Sequence, residues 1–270
     1  VSIRLGIIGG GVMAEAILSR LVQQGIYQGS EVLVSEPEPK RREFLEQTYG
    51  VQVTSDNPNT LTATEALLLA IKPQVFDTVV NQLEIKSQPS YPLIISILAG
   101  VPLSRLQAAF PVYPVVRVMP NTPATVGAGM SAISSGQTVE PHHLSLATSI
   151  FTAVGEVVTV PESLMDGVTG LSGSGPAFVA IMIEALADGG VAAGLPRTIA
   201  AKLALQTVLG TAQLMQTTNI HPAQLKDQVT SPGGTTIAGV AQLEQRRFRS
   251  AIIEAVKAAY LRSQELGHKL

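Results

Sequence analysis

The chain has no cysteine and no tryptophan, and aromatic residues make up only 4% of it. Without cysteine there is no disulfide, no thiolate nucleophile and no thiolate metal site, which fits a reducing compartment. Charge is scarce as well: 14% of residues are charged and 46% hydrophobic, against roughly 25% charged in an average soluble domain. So little polar material cannot cover a large free surface, and extensive subunit contact is expected. The net charge of -2 offers no field for nucleic acid, and no basic run is long enough to make a tail. Unbroken apolar stretches such as 66–71 and 177–183 fall well short of the roughly 18 residues of a membrane span, so no membrane partner is expected. Val1 leads directly into a strand pattern with no basic segment before it, so no signal peptide is expected and the cytoplasm is the default location. The four histidines, His142, His143, His221 and His268, have no metal-ligand spacing, and no metal site is expected.

At 270 residues the chain is long enough for two domains. Short apolar runs at 2–8, 31–35, 51–54, 66–71, 93–98, 115–119 and 130–134 read as strands. Stretches 13–24, 40–49, 75–83 and 103–110 between them read as helices. That alternation predicts an α/β domain over 1–160, a Rossmann-type, doubly wound parallel sheet with helices on both faces. Beyond it the apolar residues recur at helical spacing over 176–193, 196–215 and 248–266, which predicts an all-α domain over 161–270. Ser174 can cap the first of these helices with Pro176 near its first turn, Gly194 ends it and Pro196 opens the next. Helices so rich in alanine and glycine cannot fill a core alone. A dimer of interleaved helical domains would solve that problem.

Gly9-Gly10-Gly11-Val12-Met13-Ala14 fits G-x-G-x-x-A, and it lies between the first strand and the first helix, as a dinucleotide fingerprint requires. Gly9 permits the tight turn, Gly11 lets a pyrophosphate approach, and Ala14 keeps the helix close to the sheet. The phosphates would meet the N–H groups of the helix beginning at Val12 and Met13. The second strand ends in Ser35-Glu36, where an acidic residue suits the ribose hydroxyls of NAD. Ser35 could instead donate to a 2′-phosphate, and Lys40, Arg41 and Arg42 follow closely, although a solvated first helical turn explains that trio equally well. The balance leans to NADPH, with NADH possible.

Ligands of open parallel sheets bind beyond the carboxyl ends of the strands. Ala70, Lys72 and Pro73 lie there, and so does Asn121, whose polar group would sit near the nicotinamide. Lys72 could equally be a solvated strand-end lysine, and Asn121 could simply shape a turn. In the second half, 170–176 and 229–236 each gather glycines and hydroxyls before a helix, which suits a carboxylate, with plain capping by Ser174 and Thr235 as the alternative. Glu184 with Asp188, and Arg246 with Arg247, read as solvated surface.

These segments together resemble the pyrroline-5-carboxylate reductase family, over essentially the whole chain and in the right order. The resemblance is carried by the turn 9–14, Asn57 before the fourth strand, 70–74, Ala99-Gly100, 117–123 and 170–176. It continues through His221-Pro222, Leu225-Lys226-Asp227 and 229–237, and the run Ser231-Pro232-Gly233-Gly234-Thr235-Thr236 is its most specific part. It implies reduction of 1-pyrroline-5-carboxylate to L-proline with NAD(P)H. The substrate carboxylate would then be held by backbone amides of the loop carrying Ser231, Gly233, Gly234 and Thr235, with Ser174 nearby. The Thr236 hydroxyl would point at the ring nitrogen and Asn57 would sit near the adenine ribose. The resemblance also implies dimers through the helical domain, assembled into decamers. Asn219 departs from the pattern, since many members carry glutamate there. A β-hydroxyacid dehydrogenase with Lys202 as acid/base is the rival enzyme, but the glycine-serine frame expected around that lysine is absent. A nucleotide-sensing dimer is the rival of another class, and it would have no need of a carboxylate site.

Overall fold

The structure is a computed structural model that describes residues 2–83 and 91–269; the side chain of His268 lies outside the described ones. Its sheet is eight-stranded, in the order β3-β2-β1-β4-β5-β6-β7-β8. The strands are β1 Leu5–Ile8, β2 Val32–Ser35, β3 Gln52–Thr54, β4 Ala66–Leu69, β5 Leu93–Ser96, β6 Val115–Met119, β7 Gly129–Ser135 and β8 Gly155–Thr159. Every position of β1, β4 and β5 is buried, which explains why these segments are continuous apolar runs and do not alternate. Successive residues feed opposite faces. Ile7, Leu68 and Ile95 join one core with Ile17 and Leu21, while Ile8, Leu67 and Ile94 join the other with Phe76, Leu106 and Phe110. Ile17 and Leu21 come from α1 (Val12–Gln23), Phe76 from α3 (Phe76–Val80), and Leu106 with the following Phe110 from the end of α4 (Leu103–Ala109), while α2 (Pro39–Tyr49) adds Leu45 to the first core.

The first six strands are parallel, but β7 runs antiparallel to β6, and β8 is parallel to β7. The sheet is therefore mostly parallel, not wholly so. Only a 3-10 turn at Thr122–Val126 separates β6 from β7, too little chain for the crossover that a parallel partner needs. Helix α5 (Pro141–Thr152) and the edge strand β8, largely solvent-facing, complete this layer without showing a clear period in the sequence. His142 and His143 lie in the first turn of α5, not in a loop; the His143 Nδ1 accepts the Glu140 N–H.

Two compact units result, Val1–Ser174 with Ala259–Leu270, and Gly175–Ala258. They divide later than the boundary at 160 that composition suggests, because the chain past β8 keeps bonding within the first unit. Ser263 donates to Asp166 at 2.6 Å, and a Cβ on Gly267 would lie 3.2 Å from the Gly100 carbonyl oxygen. The segment 170–176, expected to be a loop, is helical. Helix α6 (Met165–Val168) runs through a π-helical turn at Thr169–Gly173 into α7 (Gly175–Ala192). The whole run Glu162–Ala192 is long and apolar enough to cross a membrane by length and composition. Counting only unbroken apolar residues misses it, since Gly173, Ser174 and Pro176 interrupt the apolar run without interrupting the helix. The second unit continues with α8 (Arg197–Thr218), α9 (Pro222–Gln228), α10 (Thr235–Gln245) and the first half of α11 (Phe248–Lys269).

Candidate active site

The order of strands reverses between β1 and β4, so a crevice opens there at their carboxyl ends. Gly9 closes that point with φ +96, and a Cβ on it would sit 2.6 Å from the Ala70 carbonyl oxygen. Only glycine satisfies both the dihedral and the approach of Ala70. Gly11 is different: a Cβ there would meet no protein atom within 4 Å. Space left open over a glycine that ends as the N-cap of α1 fits a pyrophosphate. No side chain caps that helix, so the first N–H groups of α1, from Val12 onward, face the opening with the positive end of the dipole. The residues present fit a dinucleotide.

The turn is braced from α2. Arg41 donates to the Gly10 carbonyl at 2.6 Å and pairs with Glu15, which also accepts the Tyr49 hydroxyl at 2.8 Å. Burial pulls the Glu15 carboxyl up, but hydrogen bonds from Arg41 and Tyr49 outweigh it and hold the group below its ordinary range. Burial pushes the Tyr49 phenol up to about 12, and its bond to Glu15 adds to the rise. Glu36 closes the other side, accepting the Gly10 N–H at 2.8 Å and the Glu38 N–H at 3.0 Å.

Several expected site residues carry structural bonds of their own. Ser35 is buried, and its hydroxyl proton goes to Asn57 Oδ1 at 2.7 Å, so it is not available to donate to a phosphate as the sequence suggests. Asn57 in turn donates to Gln82 at 2.7 Å. Asn121 accepts the Met130 N–H at 2.8 Å and donates to the Ser172 carbonyl at 3.1 Å. That bond brings the end of β6 against the π-helical turn, where a Cβ on Gly173 would lie 2.8 Å from the Met119 methyl. Lys72 is exposed at the start of the 3-10 turn Pro73–Val75. Ser174 does not cap α7. Its hydroxyl donates back to the Thr169 carbonyl at 3.1 Å, and its own N–H bonds to the same oxygen. A continuous helix leaves no free N-terminus there, so the expected first anion loop is absent as such.

The second expected loop is a turn ahead of a helix. Ser231 to Gly234 form a turn closed by the Gly234 N–H to the Ser231 carbonyl at 3.1 Å. Gly233 has φ +68 after Pro232, the arrangement of a type II turn. Gly234 is then the N-cap of α10, with no side chain capping it. The Gly234 N–H is thus committed, whereas Thr235, Thr236 and Ile237, in the first turn, have no helical carbonyl to reach. Their amides stand at an uncapped helix N-terminus beside the exposed residues Ser231, Thr235 and Thr236, an arrangement of the kind that suits an anion. Two residues nearby acquire roles that the sequence does not reveal. His221 caps α9, its Nδ1 accepting the Ala223 N–H at 3.2 Å. Asn219 ends α8 at φ 52, a left-handed position that asparagine tolerates well.

Family models match at both ends of the chain. The model described as pyrroline-5-carboxylate reductase dimerisation matches residues 162–266. One described as NADP oxidoreductase coenzyme F420-dependent matches 4–100. A pyrroline-5-carboxylate reductase of Synechocystis is 64% identical over 268 residues, covering 99% of this chain and 100% of that protein. The chain belongs to the pyrroline-5-carboxylate reductase family. A relative of that name from Arabidopsis thaliana is 42% identical, over 98% of this chain and 96% of its own. Among solved structures, the Coxiella burnetii reductase matches with a TM-score of 0.91 at 34% identity, covering 98% of this chain and 99% of that one. The Plasmodium falciparum enzyme, solved with NADP bound, matches at 0.87 and 31%, covering 98% of each chain.

Proposed function

We propose that the chain is a pyrroline-5-carboxylate reductase, reducing 1-pyrroline-5-carboxylate to L-proline with NADPH, with NADH as an alternative donor. The observation that carries this reading is full-length similarity to reductases of that name, joined to a glycine turn whose open space fits a dinucleotide. When bound, NADPH supplies the hydride that adds to the imine carbon as the nitrogen takes up a proton. The chain has to bind, orient and screen. Gly9, Gly11, Val12 and Met13 hold the pyrophosphate, while Ala70, Lys72, Pro73 and Asn121, at the carboxyl ends of their strands, border the rest of the dinucleotide. Asn57, tied to Ser35, fixes the wall of the ribose site. The substrate carboxylate is held by the first-turn amides of α10 and by Ser231, and the Thr236 hydroxyl donates to the ring nitrogen.

An imine can be protonated from water, so Thr236 needs only to orient the nitrogen and no strong acid is required. Thr236→Ala should therefore lower kcat about 10- to 100-fold, at or below the usual range for a proton donor, with little change in cofactor KM. An unchanged kcat removes Thr236 from the mechanism. The wider test is NADPH and NADH oxidation with pyrroline-5-carboxylate, followed by absorbance with proline assayed as product. Stoichiometric proline is expected, and no turnover with dinucleotide binding intact would leave a different imine as the substrate.

The same reading accounts for the apolar run Glu162–Ala192, which opens the segment matched by the dimerisation model. Its exposed side chains are covered by a second copy, and the dimers assemble further into decamers in the cytoplasm.

A further inference from the structure

We propose that Glu36 is the residue that sets the balance between the two nicotinamide dinucleotides, disfavouring a 2′-phosphate so that NADH binds nearly as well as NADPH. This rests on the reading of the glycine turn as a dinucleotide cradle. Glu36 follows the last residue of β2; it is half-buried, and its carboxylate is turned onto the backbone of the glycine turn and of the chain entering α2. One oxygen takes the Gly10 N–H at 2.8 Å and the other the Glu38 N–H at 3.0 Å. A Cβ on Gly10 would come within 3.2 Å of Glu36 Oε2, so the carboxylate is fastened to the cradle itself. Each oxygen keeps a lone pair for a further donor. Ribose hydroxyls are donors and complete that set. A 2′-phosphate carries a charge of about -1.5 to -2 and brings mainly acceptors, so it meets like charge with few protons to share.

The groups that would normally offset this are engaged elsewhere. The buried Ser35 hydroxyl donates to Asn57. Arg41 is held between the Gly10 carbonyl and Glu15. Arg42 is turned back onto the carbonyls of Glu36 and Pro37, at 2.7 and 2.8 Å. Lys40 remains, on the exposed first turn of α2. One solvated lysine attracts a phosphate without the directed fork that an arginine provides.

The test is equilibrium binding to the full chain, by dinucleotide fluorescence or calorimetry, so that it does not depend on turnover. NADPH and NADH are titrated into wild type, Glu36→Gln and Glu36→Ser, with 2′,5′-ADP and 5′-AMP as probes that lack the nicotinamide. Wild type should bind the two dinucleotides within about tenfold of each other. Both variants should shift the ratio about tenfold towards NADPH, and 2′,5′-ADP should gain on 5′-AMP in step, the scale of one removed like charge near the surface. An unchanged ratio overturns the proposal. So does an equal loss for both dinucleotides, which would give Glu36 only the task of shaping the turn. Failure of wild type to bind either dinucleotide would instead sink the cradle reading and this inference with it.

Discussion

The two compact units solve the same problem with opposite resources. In the first, large side chains such as Ile7, Leu21, Phe76, Phe110 and Phe151 are buried on the two faces of one sheet. In the second, the buried hydrophobic residues among those described are three alanines, Ala187, Ala200 and Ala204, with Ile183 and Val191 partly buried against them. Its leucines face outward: Leu203, Leu205 and Leu209 on α8 are 53, 56 and 48% exposed. A core of alanines removes too little apolar surface from water to offset the entropy of ordering long helices. The first unit is complete as a single chain. The second is half of something, and the scarcity of charge in the sequence is the mark of that incompleteness.

The comparison breaks if the first unit tolerates a hole in its core. Ile95→Ala, at the centre of β5, should cost about 2–5 kcal/mol of unfolding free energy, read by denaturant titration. A loss below about 1 kcal/mol would mean that the sheet repacks around the hole. Next in size is Leu209→Asp. If α8 is covered by a second copy, an unpaired carboxylate there should weaken self-association by about 2 kcal/mol or more, roughly 30-fold, read by light scattering across a dilution series. Unaltered association would take Leu209 out of the interface.

The same contrast governs how much of the fold is legible in the sequence. The sheet is legible because β1, β4 and β5 are buried on both sides and therefore uninterrupted in sequence, and because Gly9, against the Ala70 carbonyl, and buried Ala14 must be small, which leaves a fixed spacing. The antiparallel turn into β7 cannot be read from the apolar residues, which would be the same for either pairing; the signal that tells is the short connection between 119 and 129, too short for a parallel crossover. The π-helical turn is hidden for the opposite reason. Gly170, Gly173 and Ser174 look like a loop, yet the chain stays helical there, and Gly173 lets the turn approach Met119 beside the bond from Asn121 to the Ser172 carbonyl. Ser35 reads as a phosphate donor because its type allows it; only the position of Asn57 shows where the proton goes. The loop before α10 is legible as Ser-Pro-Gly-Gly, whose turn chemistry is local.

A smaller effect sharpens the account of the cradle. Gly9→Ala combines a positive φ with a contact 2.6 Å from backbone oxygen, so neither a rotamer change nor a side-chain shift relieves it. The expected cost is about 1–3 kcal/mol, seen as a lower Tm together with weakened NADPH binding. Gly11→Ala meets no protein atom, so its Tm should hold while NADPH binding falls. A loss of Tm in both variants would mean that the space over Gly11 is needed by the chain itself and not by a ligand.

The smallest effect concerns pH, and it belongs to the brace behind that cradle. Glu15 is held below its ordinary range, so its contribution is present above the unfolded carboxyl value of 4.5 and lost as pH falls through the lower folded value. Tyr49 titrates the other way. Its folded value is pushed up to about 12 from 10.0, so the native state keeps the phenolic proton after the unfolded state has released it. That contribution is complete below pH 10.0 and disappears as pH rises towards about 12. Tyr27, buried and bonded to Glu65, is pushed upward too, so the alkaline decline has two sources. Tyr49→Phe removes one of them. Its Tm should lie below wild type at neutral pH, and the difference should narrow as pH climbs past 10, because wild type then loses what the variant never had. It also takes a hydrogen bond from Glu15, so the acid loss should begin at higher pH in the variant. Parallel Tm curves for the two proteins from pH 8 to 12 would mean that Tyr49 and Glu15 do not act together behind the glycine turn.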